Sequence, residues 1–397
     1  FQILLFYLFN FKMVDRAKNS KINFKLPLYT IASYHKQNYD ENPIFKYVNN
    51  ILNQLENETK NLFIFEQFDL IELIIQKSQN HILPYLLEQD FLSFGLRKGL
   101  SLVKPDFVIS QMSLSVNCSL GYLSEYFDIP SVLISHGSHV KHEEKHSAKE
   151  HEILANNILV GGYRFLGVQS PLAKEMAENV KSGSETIVNI QPVIWGRKVT
   201  NTKPHPTKIT IVHAGTFKAA ARRFMYETSD EMLKGLTELT SGILDKLNLE
   251  MIIKFRAGPE FSLDSLNLLL SPLPANVIID NERPFFDVLG EADLLISFSS
   301  TTIEEALVNE IPVLLYGGDG RYSHIPVEPY ESGNSIEKAV TFIKRKENLI
   351  DYFTSLNQKG SSFTVPSEEF DPYRFKNRDA VEFSDWFSSK MKSSASA

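Results

Sequence analysis

Cysteine is almost absent from this sequence of 397 residues. Its single cysteine, Cys118, excludes an internal disulfide framework and any zinc site built from several cysteines. Disulfides are rare in reducing compartments, so a chain with one cysteine fits the cytoplasm. We therefore expect a cytoplasmic protein.

Positive charge is also in short supply. The 41 lysines and arginines are outnumbered by 48 acidic residues, which gives a formal net charge of −7. Nucleic-acid-binding domains carry a basic surface, and this composition provides no such surplus. Nucleic acid is therefore not expected as a partner.

No hydrophobic run in the sequence is long enough to cross a bilayer, which needs about 20 apolar residues. The apolar run from Phe1 to Phe11 is the one membrane-like stretch. A basic stretch from Lys12 to Lys21 follows it, the reverse of the charge order in a signal peptide. Three interpretations stay open: a buried first strand, a peripheral anchor on the inner face of the cytoplasmic membrane, or residues upstream of a start at Met13.

Several familiar catalytic signatures are missing. The sequence has no Gly-x-x-x-x-Gly-Lys-Ser/Thr loop and no Gly-x-Gly-x-x-Gly after a predicted strand, which argues against ATPases and dehydrogenases. It also lacks the Gly-x-Ser-x-Gly elbow of many hydrolases. His142 and His146 have helical spacing for a metal pair, but a solvated loop is the favoured interpretation of that region. No metal and no organic cofactor is expected.

Composition and element order predict two α/β domains. With 43% apolar and 22% charged residues, the chain is an ordinary globular protein with material for two cores. Apolar strands alternate with helical segments between residues 104 and 196 and again from residue 208, a pattern typical of parallel, doubly wound sheets. The polar, proline-containing stretch 197–208 is interpreted as a linker.

These boundaries divide the chain into three predicted parts. Residues 1–200 form an N-terminal Rossmann-like domain, and residues 201–345 form a C-terminal Rossmann-like domain. Residues 346–397 supply helices that pack back across the interface, followed by a disordered tail. Helices are predicted at 336–351 and 380–391.

The most informative stretch runs from Ala292 to Tyr322, ADLLISFSSTTIEEALVNEIPVLLYGGDGRY. It predicts a buried strand, a hydroxyl-rich turn, a helix, a second strand and a glycine-rich loop. Parallel sheets place ligands beyond the carboxyl ends of their strands, where this turn lies, and a helix N-terminus favours an anion. The carboxylates of the helix could accept hydrogen bonds from a ribose; the alternative is that they only suit the acidic first turn of any helix. The residues singled out are Ser299, Ser300, Thr301, Thr302, Glu304 and Glu305.

This segment resembles the donor-binding part of the C-terminal domain of GT-B glycosyltransferases that build surface and capsular polysaccharides. Its hydroxyl-rich turn is similar to the serine/threonine motif of bacterial sialyltransferases and β-Kdo transferases, which bind CMP-activated sugars. The resemblance implies an α/β fold with two Rossmann-like domains, the GT-B architecture, facing across an interdomain cleft. It also implies that the C-terminal domain holds the donor and that no metal is needed.

In the N-terminal half, His136 follows the apolar strand Val132 to Ser135 and precedes Gly137. It therefore lies at the carboxyl end of a strand, where a cleft would be. The Ser-His-Gly string is similar to the His-Gly of glycerophosphate and capsule-sugar transferases, whose histidine lies in the active site. A neutral imidazole suits a general base for an acceptor hydroxyl, with Gly137 and Ser138 beside the acceptor. The alternative is that His136 only caps its loop.

The entry to the C-terminal domain, HAGTFKAAARRFMYETSDE, supplies further candidates. A glycine after the strand permits close backbone approach, and basic side chains would neutralise a diphosphate or the carboxylate of a sugar acid. The donor-binding residues predicted here are His213, Gly215, Lys218, Arg222 and Arg223. Glu227 and Asp230 are candidate catalytic carboxylates, with Asp230 as a nucleophile on an anomeric carbon. For Asp230 the favoured alternative is that Thr228, Ser229 and Asp230 cap the next helix.

Two loops complete the predicted donor site. The stretch KFRAGPE takes the place of the His-Pro motif of sialyltransferases, but it lacks the histidine and matches the motif only at Gly258 and Pro259. The residues taken from it as donor-binding are Lys254, Arg256, Pro259 and Glu260. In the last loop, Arg321 and Tyr322 are predicted to contact a phosphate or the base; alternatively, Arg321 pairs with Asp319 on the surface.

The sequence therefore predicts a glycosyltransferase acting on a surface glycan. The first choice of reaction moves Kdo or a related sugar acid from a CMP donor to a glycan or lipid-linked glycan, with the nucleotide sugar as co-substrate. A UDP-sugar transferase or a non-hydrolysing UDP-sugar 2-epimerase, which shares the architecture and a Glu-Glu helix, is the second interpretation. A non-catalytic scaffold is the third, and other polysaccharide-assembly proteins are expected as partners.

Overall fold

The computed structural model describes a defined part of the chain. The described residues are 64–65, 68–69, 91–114, 116–137, 148, 155, 158–180, 185–200, 208–215, 227–242, 244, 247–255 and 262–395. The question of residues 1–12 lies outside them. The chain divides into two compact units, Phe1–Pro105 and Asp106–Ala397. In the first unit, strands β1 (Ile64–Phe65) and β2 (Phe68–Asp69) pair antiparallel, and residues 91–103 are helical.

Two parallel sheets organise the second unit. The first sheet has the order β3-β4-β5-β6, all parallel. Its elements in chain order are β3 (Val108–Ser110), α1 (Val116–Tyr126), β4 (Ser131–Ile134), β5 (Phe165–Val168), α2 (Pro171–Val180) and β6 (Thr186–Asn189). Helix α2 begins as its Ser-Pro sequence predicts, because Ser170 Oγ accepts a hydrogen bond from the Ala173 N–H at 3.1 Å.

The second sheet has six parallel strands in the order β12-β11-β10-β7-β8-β9. Its strands are β7 (Ile209–Ala214), β8 (Leu249–Lys254), β9 (Val277–Asp280), β10 (Leu294–Ser297), β11 (Val313–Leu315) and β12 (Val340–Phe342). Numbered within the sheet, this is the 3-2-1-4-5-6 order of dinucleotide-binding folds, with the reversal between β7 and β10. The predicted α/β class with two parallel sheets is therefore confirmed.

Helices cover both faces of the second sheet, which explains why its strands are continuous apolar runs. Along β7, Ile211 packs into one hydrophobic cluster and Val212 into another on the opposite face. All four residues of β10 are buried. The helices are α3 (Ser229–Gly242), α4 (Leu263–Leu269), α5 (Phe285–Leu289), α6 (Thr302–Val308) and α7 (Lys346–Lys359).

The predicted helix over 336–351 is wrong. Val340–Phe342 is strand β12, parallel to β11, and a helix begins only at Lys346. The apolar run around β12 is short and contains β-branched and aromatic residues, which suit a strand when a neighbouring strand edge is available. Pairing with β11 decides the conformation, and that partner is not visible in local spacing.

The last helix, α8 (Phe383–Ala395), returns to the first sheet. Val381 forms a parallel bridge with Ile190 beside β6. Trp386 then packs edge-on against Phe107 and Phe165, with ring centroids 6.1 Å and 5.2 Å away. The C-terminus thus completes the hydrophobic packing of the first sheet.

The start of the predicted linker is anchored rather than free. Lys198 Nζ donates to the Val308 carbonyl at 3.0 Å, and the Val199 N–H donates to Asn309 Oδ1 at 3.0 Å. These bonds tie the chain after the first sheet to the end of α6. Residues 201–207 lie outside the described part, and the predicted division at residue 200, which falls inside the second compact unit, stays a prediction.

Within the described residues, none of the helices has both the length and the apolar character that a membrane span requires.

We predict that Trp386→Ala destabilises the protein by about 2 kcal/mol, since full truncation of a buried aromatic costs about 3–5 kcal/mol and Trp386 is partly exposed. Urea unfolding measures the change. Ser388→Ala on the exposed side of the same helix is the matched control. Equal stability of the two variants would show that α8 does not support the first sheet.

Candidate functional site

The site is centred on the reversal of strand order between β7 and β10. Loops that follow these two strands leave toward opposite faces, which opens a crevice at their carboxyl ends. A Cβ placed on Gly215 would lie 3.8 Å from Ser297 Oγ, so the two strand ends are close. Ser297 Oγ is buried and has no hydrogen-bond partner among the described residues. A polar group at this position suits a ligand-binding crevice.

The predicted strand-turn-helix-strand unit is confirmed: β10, the turn at residues 298–301, α6 and β11. The hydroxyl side chains of the turn differ in burial and in hydrogen-bond partners. Ser299 is buried, and its Oγ lies 3.2 Å from His324 Nδ1. Ser300 Oγ accepts the Thr302 N–H at 3.3 Å, at the entry to α6. Ser300, Thr301 and Thr302 are each partly exposed.

The two glutamates of α6 have different surroundings. Glu304 is buried, and its Oε1 lies 3.4 Å from His324 Nε2. Glu305 is half-buried; its burial and then the charge of Glu304 raise its pKa to about 7. A carboxyl group with this pKa exchanges its proton near neutral pH, which is the property of a general acid or base.

The first sheet meets α6 at His136 and Gly137. A Cβ on Gly137 would lie 3.2 Å from Thr301 Cγ2 and 3.6 Å from Glu304 Oε1, so the backbone here touches the first turn of α6. Burial lowers the pKa of His136, and the nearby Glu304 charge opposes this shift. Its Nδ1 is buried without a hydrogen-bond partner among the described residues. A neutral imidazole with an unused nitrogen can take a proton at pH 7.

Gln169 supports His136, and the sequence analysis missed it. Gln169 is fully buried after β5, and its Nε2 donates to the Ser135 carbonyl at 2.5 Å. Its Oε1 accepts the N–H groups of Val193 and Ile194 at 2.6 Å and 2.8 Å. The one local signal was a polar residue placed between an apolar strand and a helix cap.

The glycine-rich loop after β11 wraps around Glu227. Gly317 has φ +130°, and a Cβ there would overlap the Glu227 carboxylate. Burial and the charge of Glu231 raise the pKa of Glu227 to about 8, although the Gly318 N–H and Arg321 favour the charged form. Glu227 is therefore a buried, largely protonated carboxyl group at pH 7.

Arg321 pairs with Glu231 rather than Asp319, so the alternative given for it names the wrong partner. Its Nε and one terminal nitrogen lie 2.9 Å and 2.8 Å from the two oxygens of Glu231, and its guanidinium stacks over Phe298 at 5.1 Å. Asp319 pairs with Lys234 instead. The bidentate Arg321–Glu231 pair joins the glycine-rich loop to α3.

Tyr322, predicted to face the donor, is buried with its ring 5.9 Å from that of Phe298.

At the start of α3, Thr228 and Glu231 form a capping box. The Thr228 N–H donates to Glu231 Oε2 at 2.8 Å, and the Glu231 N–H donates to Thr228 Oγ1 at 3.3 Å. Burial opposes ionisation of Glu231, but the Arg321 and Thr228 hydrogen bonds hold its pKa below the ordinary value. Asp230 is exposed in the first turn, and its role as a nucleophile stays a prediction.

Two other predicted donor residues are held inside the second sheet. Lys254 Nζ lies 3.7 Å from Asp280 Oδ1, and both side chains are mostly buried. Burial opposes the charge of Asp280, yet hydrogen bonds from Arg283 keep its pKa low. His213 is buried within β7, and this burial lowers its pKa to about 4. His213 is thus a neutral interior side chain.

Several predicted residues lie outside the described part of the chain. They are Ser138, His142, His146, Lys218, Arg222, Arg223, Arg256, Pro259 and Glu260. Where side chains are described, no group of three or more histidine, cysteine, aspartate or glutamate residues is placed to hold a metal ion.

No protein-family model matches the chain, and no curated protein matches it. Solved structures resemble it at low identity. The UDP-GlcNAc 2-epimerase from Neisseria meningitidis bound to UDP-GlcNAc is 14% identical, with a TM-score of 0.48 over 77% of this chain and 81% of that one. The S. aureus MnaA structure with UDP is 13% identical, with a TM-score of 0.47 over 72% and 79%. CalG4, the calicheamicin glycosyltransferase, is 14% identical, with a TM-score of 0.40 over 83% and 78%. Likeness at this level does not determine a reaction or a substrate.

We predict that Glu227→Gln flattens the pH dependence of stability. Because the folded-state pKa of Glu227 is raised, its contribution is full below the unfolded value of 4.5 and is lost as pH rises toward 8. The wild type should therefore lose up to a few kcal/mol more than the variant between pH 5 and pH 8.5. Denaturant unfolding at both pH values measures this loss.

Glu328→Gln, at an exposed carboxylate, is the control and should follow the wild type. Parallel pH profiles for the wild type and Glu227→Gln would show that Glu227 is not protonated in the folded protein.

Proposed function

We propose that this protein is a nucleotide-sugar-dependent glycosyltransferase. The supporting observation is the convergence of the two sheets: Gly137, next to His136, lies against Thr301 and Glu304 of the turn beside the switch point. A site between two such sheets presents separate surfaces to two substrates, and the chain supplies acid–base groups where they meet. In this proposal the second sheet takes the nucleotide sugar and the first takes a glycan or lipid-linked glycan.

The donor is held by the polar turn after β10 and by the close approach at Gly215. Ser300 and Thr301 are partly exposed hydroxyl residues there, and Ser297 and Thr302 add buried hydroxyl groups. Lys254 and Arg321 are engaged with carboxylates, so they are poor candidates for direct phosphate contact. The donor's negative charge is therefore assigned to Lys218, Arg222, Arg223 and Arg256, as the sequence suggests.

His136 is the proposed general base. Its lowered pKa keeps the imidazole neutral at pH 7, so that it can accept the proton of an acceptor hydroxyl as the new bond forms. The negative charge that develops on the leaving nucleotide lies at the turn, where backbone N–H groups and hydroxyls stabilise it.

A CMP-linked sugar acid such as Kdo is the first choice of donor, followed by a UDP-sugar. A glycan or lipid-linked glycan acceptor implies that the protein contacts the membrane peripherally and has other polysaccharide-assembly proteins as partners.

One observation favours a second candidate, a UDP-sugar 2-epimerase. Glu305, with its pKa raised to about 7, and the neutral His136 approach the same turn from the two sheets. A carboxyl group that exchanges its proton near neutral pH, opposite a neutral imidazole, suits removal and return of a proton on one sugar. Conversion of a nucleotide sugar in the absence of any acceptor separates this candidate from the transferase.

Nucleotide binding is the first test. CMP, CDP, UDP, GDP and ADP are each added at millimolar concentration without metal, and the thermal midpoint is measured. A ligand at about 100 times its Kd stabilises the fold by about 2.7 kcal/mol, which shifts the midpoint visibly. We predict a shift with a cytidine or uridine nucleotide. Ser300→Ala should reduce it strongly, whereas Ser384→Ala, an exposed serine on α8, should leave it unchanged.

The identity of the effective nucleotide refines the proposal. A shift with CMP alone supports a sugar-acid donor, and a shift with UDP supports a hexose transferase or the epimerase. If none of the nucleotides shifts the thermal midpoint, both enzyme proposals are contradicted and the non-catalytic scaffold is left.

His136→Asn tests the proposed base. The variant should lower kcat by a factor of about 10²–10⁴ while the nucleotide-induced thermal shift is retained, because the base acts on the acceptor and not on donor binding. Product formation from the nucleotide sugar identified above, with and without a glycan acceptor, gives kcat. Unchanged kcat would remove His136 from the chemistry.

A further inference from the structure

His324 joins the two sides of the ligand-binding turn through a buried chain of polar contacts. Its Nδ1 lies 3.2 Å from Ser299 Oγ, and its Nε2 lies 3.4 Å from Glu304 Oε1. All three residues are almost fully buried, with 1%, 1% and 5% exposure for His324, Ser299 and Glu304. Ser299 lies in the turn and Glu304 follows it on α6, so the imidazole connects the turn to the helix.

The position of His324 is fixed by the segment that follows the glycine-rich loop. The next residue, Ile325, is buried in the hydrophobic cluster on one face of the second sheet. Ser323 Oγ donates to the Ile325 carbonyl, and the Tyr322 ring lies edge-on to the imidazole at 6.4 Å. The ring is therefore held between packed neighbours.

For an ionised Glu304 and a neutral imidazole, the number of protons on the three groups sets the direction of both hydrogen bonds. A carboxylate can only accept, a neutral imidazole donates from one nitrogen and accepts at the other, and a hydroxyl donates one proton. With Glu304 ionised, His324 Nε2–H donates to Glu304, and Nδ1 is left to accept the Ser299 O–H. Both imidazole nitrogens, Ser299 Oγ and Glu304 Oε1 are then paired, which avoids the cost of leaving these four buried atoms without a partner.

We propose that His324, in its Nε2–H tautomer, is the positioning residue of the turn: it fixes Ser299 and Glu304 so that Ser300, Thr301 and Glu305 face the ligand. Ser299 and Glu304 then act through the turn and not by touching the nucleotide. This differs from the sequence-based prediction, which placed Ser299 and Glu304 in direct contact with the donor. The ligand contacts assigned here rest on the proposed function, whereas the tautomer does not.

The tautomer is tested first, on the full chain labelled with ¹⁵N-histidine. Long-range ¹H–¹⁵N spectra at pH 7 distinguish the two neutral tautomers and the imidazolium, and the resonances lost in His324→Asn assign the ring. The Nε2–H tautomer supports the proposal. An Nδ1–H tautomer or an imidazolium overturns it, since Ser299 would then accept rather than donate.

Two conservative variants test the positioning role. His324→Gln places an amide near the former Nε2 and keeps a donor for Glu304, whereas His324→Asn places one near Nδ1 and keeps a partner for Ser299. Each preserves half of the chain, so both should fold. We expect each to raise the Kd of the nucleotide that stabilises the wild type about tenfold, equivalent to about 1.4 kcal/mol. Isothermal titration calorimetry gives Kd.

A double-mutant cycle separates positioning from general stability. Ser299→Ala should raise Kd in the wild type but add little in His324→Gln, because that variant has already lost the Ser299 contact. Equal effects of Ser299→Ala in both backgrounds, or an unchanged Kd in both His324 variants, would contradict the positioning role. Absence of nucleotide binding by the wild type would instead refute the proposed function, and the tautomer would still decide whether the hydrogen-bond chain exists.

Discussion

The reversal of strand order between β7 and β10 is the constraint on which the rest of the site depends. Parallel strands end at one edge of a sheet, so every loop that follows a strand in this direction reaches the same edge. Gly215, the hydroxyl-rich turn and the glycine-rich loop follow β7, β10 and β11, respectively. Residues more than 80 positions apart in the chain are brought together by this geometry alone.

Burial at this edge gives ordinary side chains their acid–base properties. Desolvation disfavours the charged form, so it lowers the pKa of a histidine and raises the pKa of a glutamate. His136, Glu227 and Glu305 all show this, with the pKa lowered for the histidine and raised for the two glutamates. Carboxylates with strong partners behave otherwise: Arg321 keeps Glu231 ionised although it lies close to Glu227. Glu227, just before α3, is therefore neutral, whereas Glu231 in the first turn of α3 is charged.

The sequence predicted those features that are encoded locally. Apolar runs followed by Ser-Pro, Ser-Ser-Thr-Thr or Gly-Gly-Asp-Gly located most strands, the start of α2 and the turn before α6. The sequence did not predict features that depend on a residue or strand far away in the chain. Strand β12 needed the edge of β11, Gln169 needed the loop at Val193, and Arg321 found Glu231 90 positions away rather than the adjacent Asp319. Spacing also cannot show that Ser299 turns inward to His324 while Ser300 stays at the surface.

The contact between the two sheets couples the proposed base to the proposed ligand-binding turn. Gly137 lies so close to Thr301 and Glu304 that a side chain there would press on the first turn of α6. The Glu304 charge opposes the lowering of the pKa of His136 by burial, and it adds to the raising of the pKa of Glu305. Any change that moves Glu304, including a change at His324, therefore alters the protonation of an acid–base group on each sheet. In the proposed function, binding geometry and proton transfer therefore both depend on one buried carboxylate, Glu304.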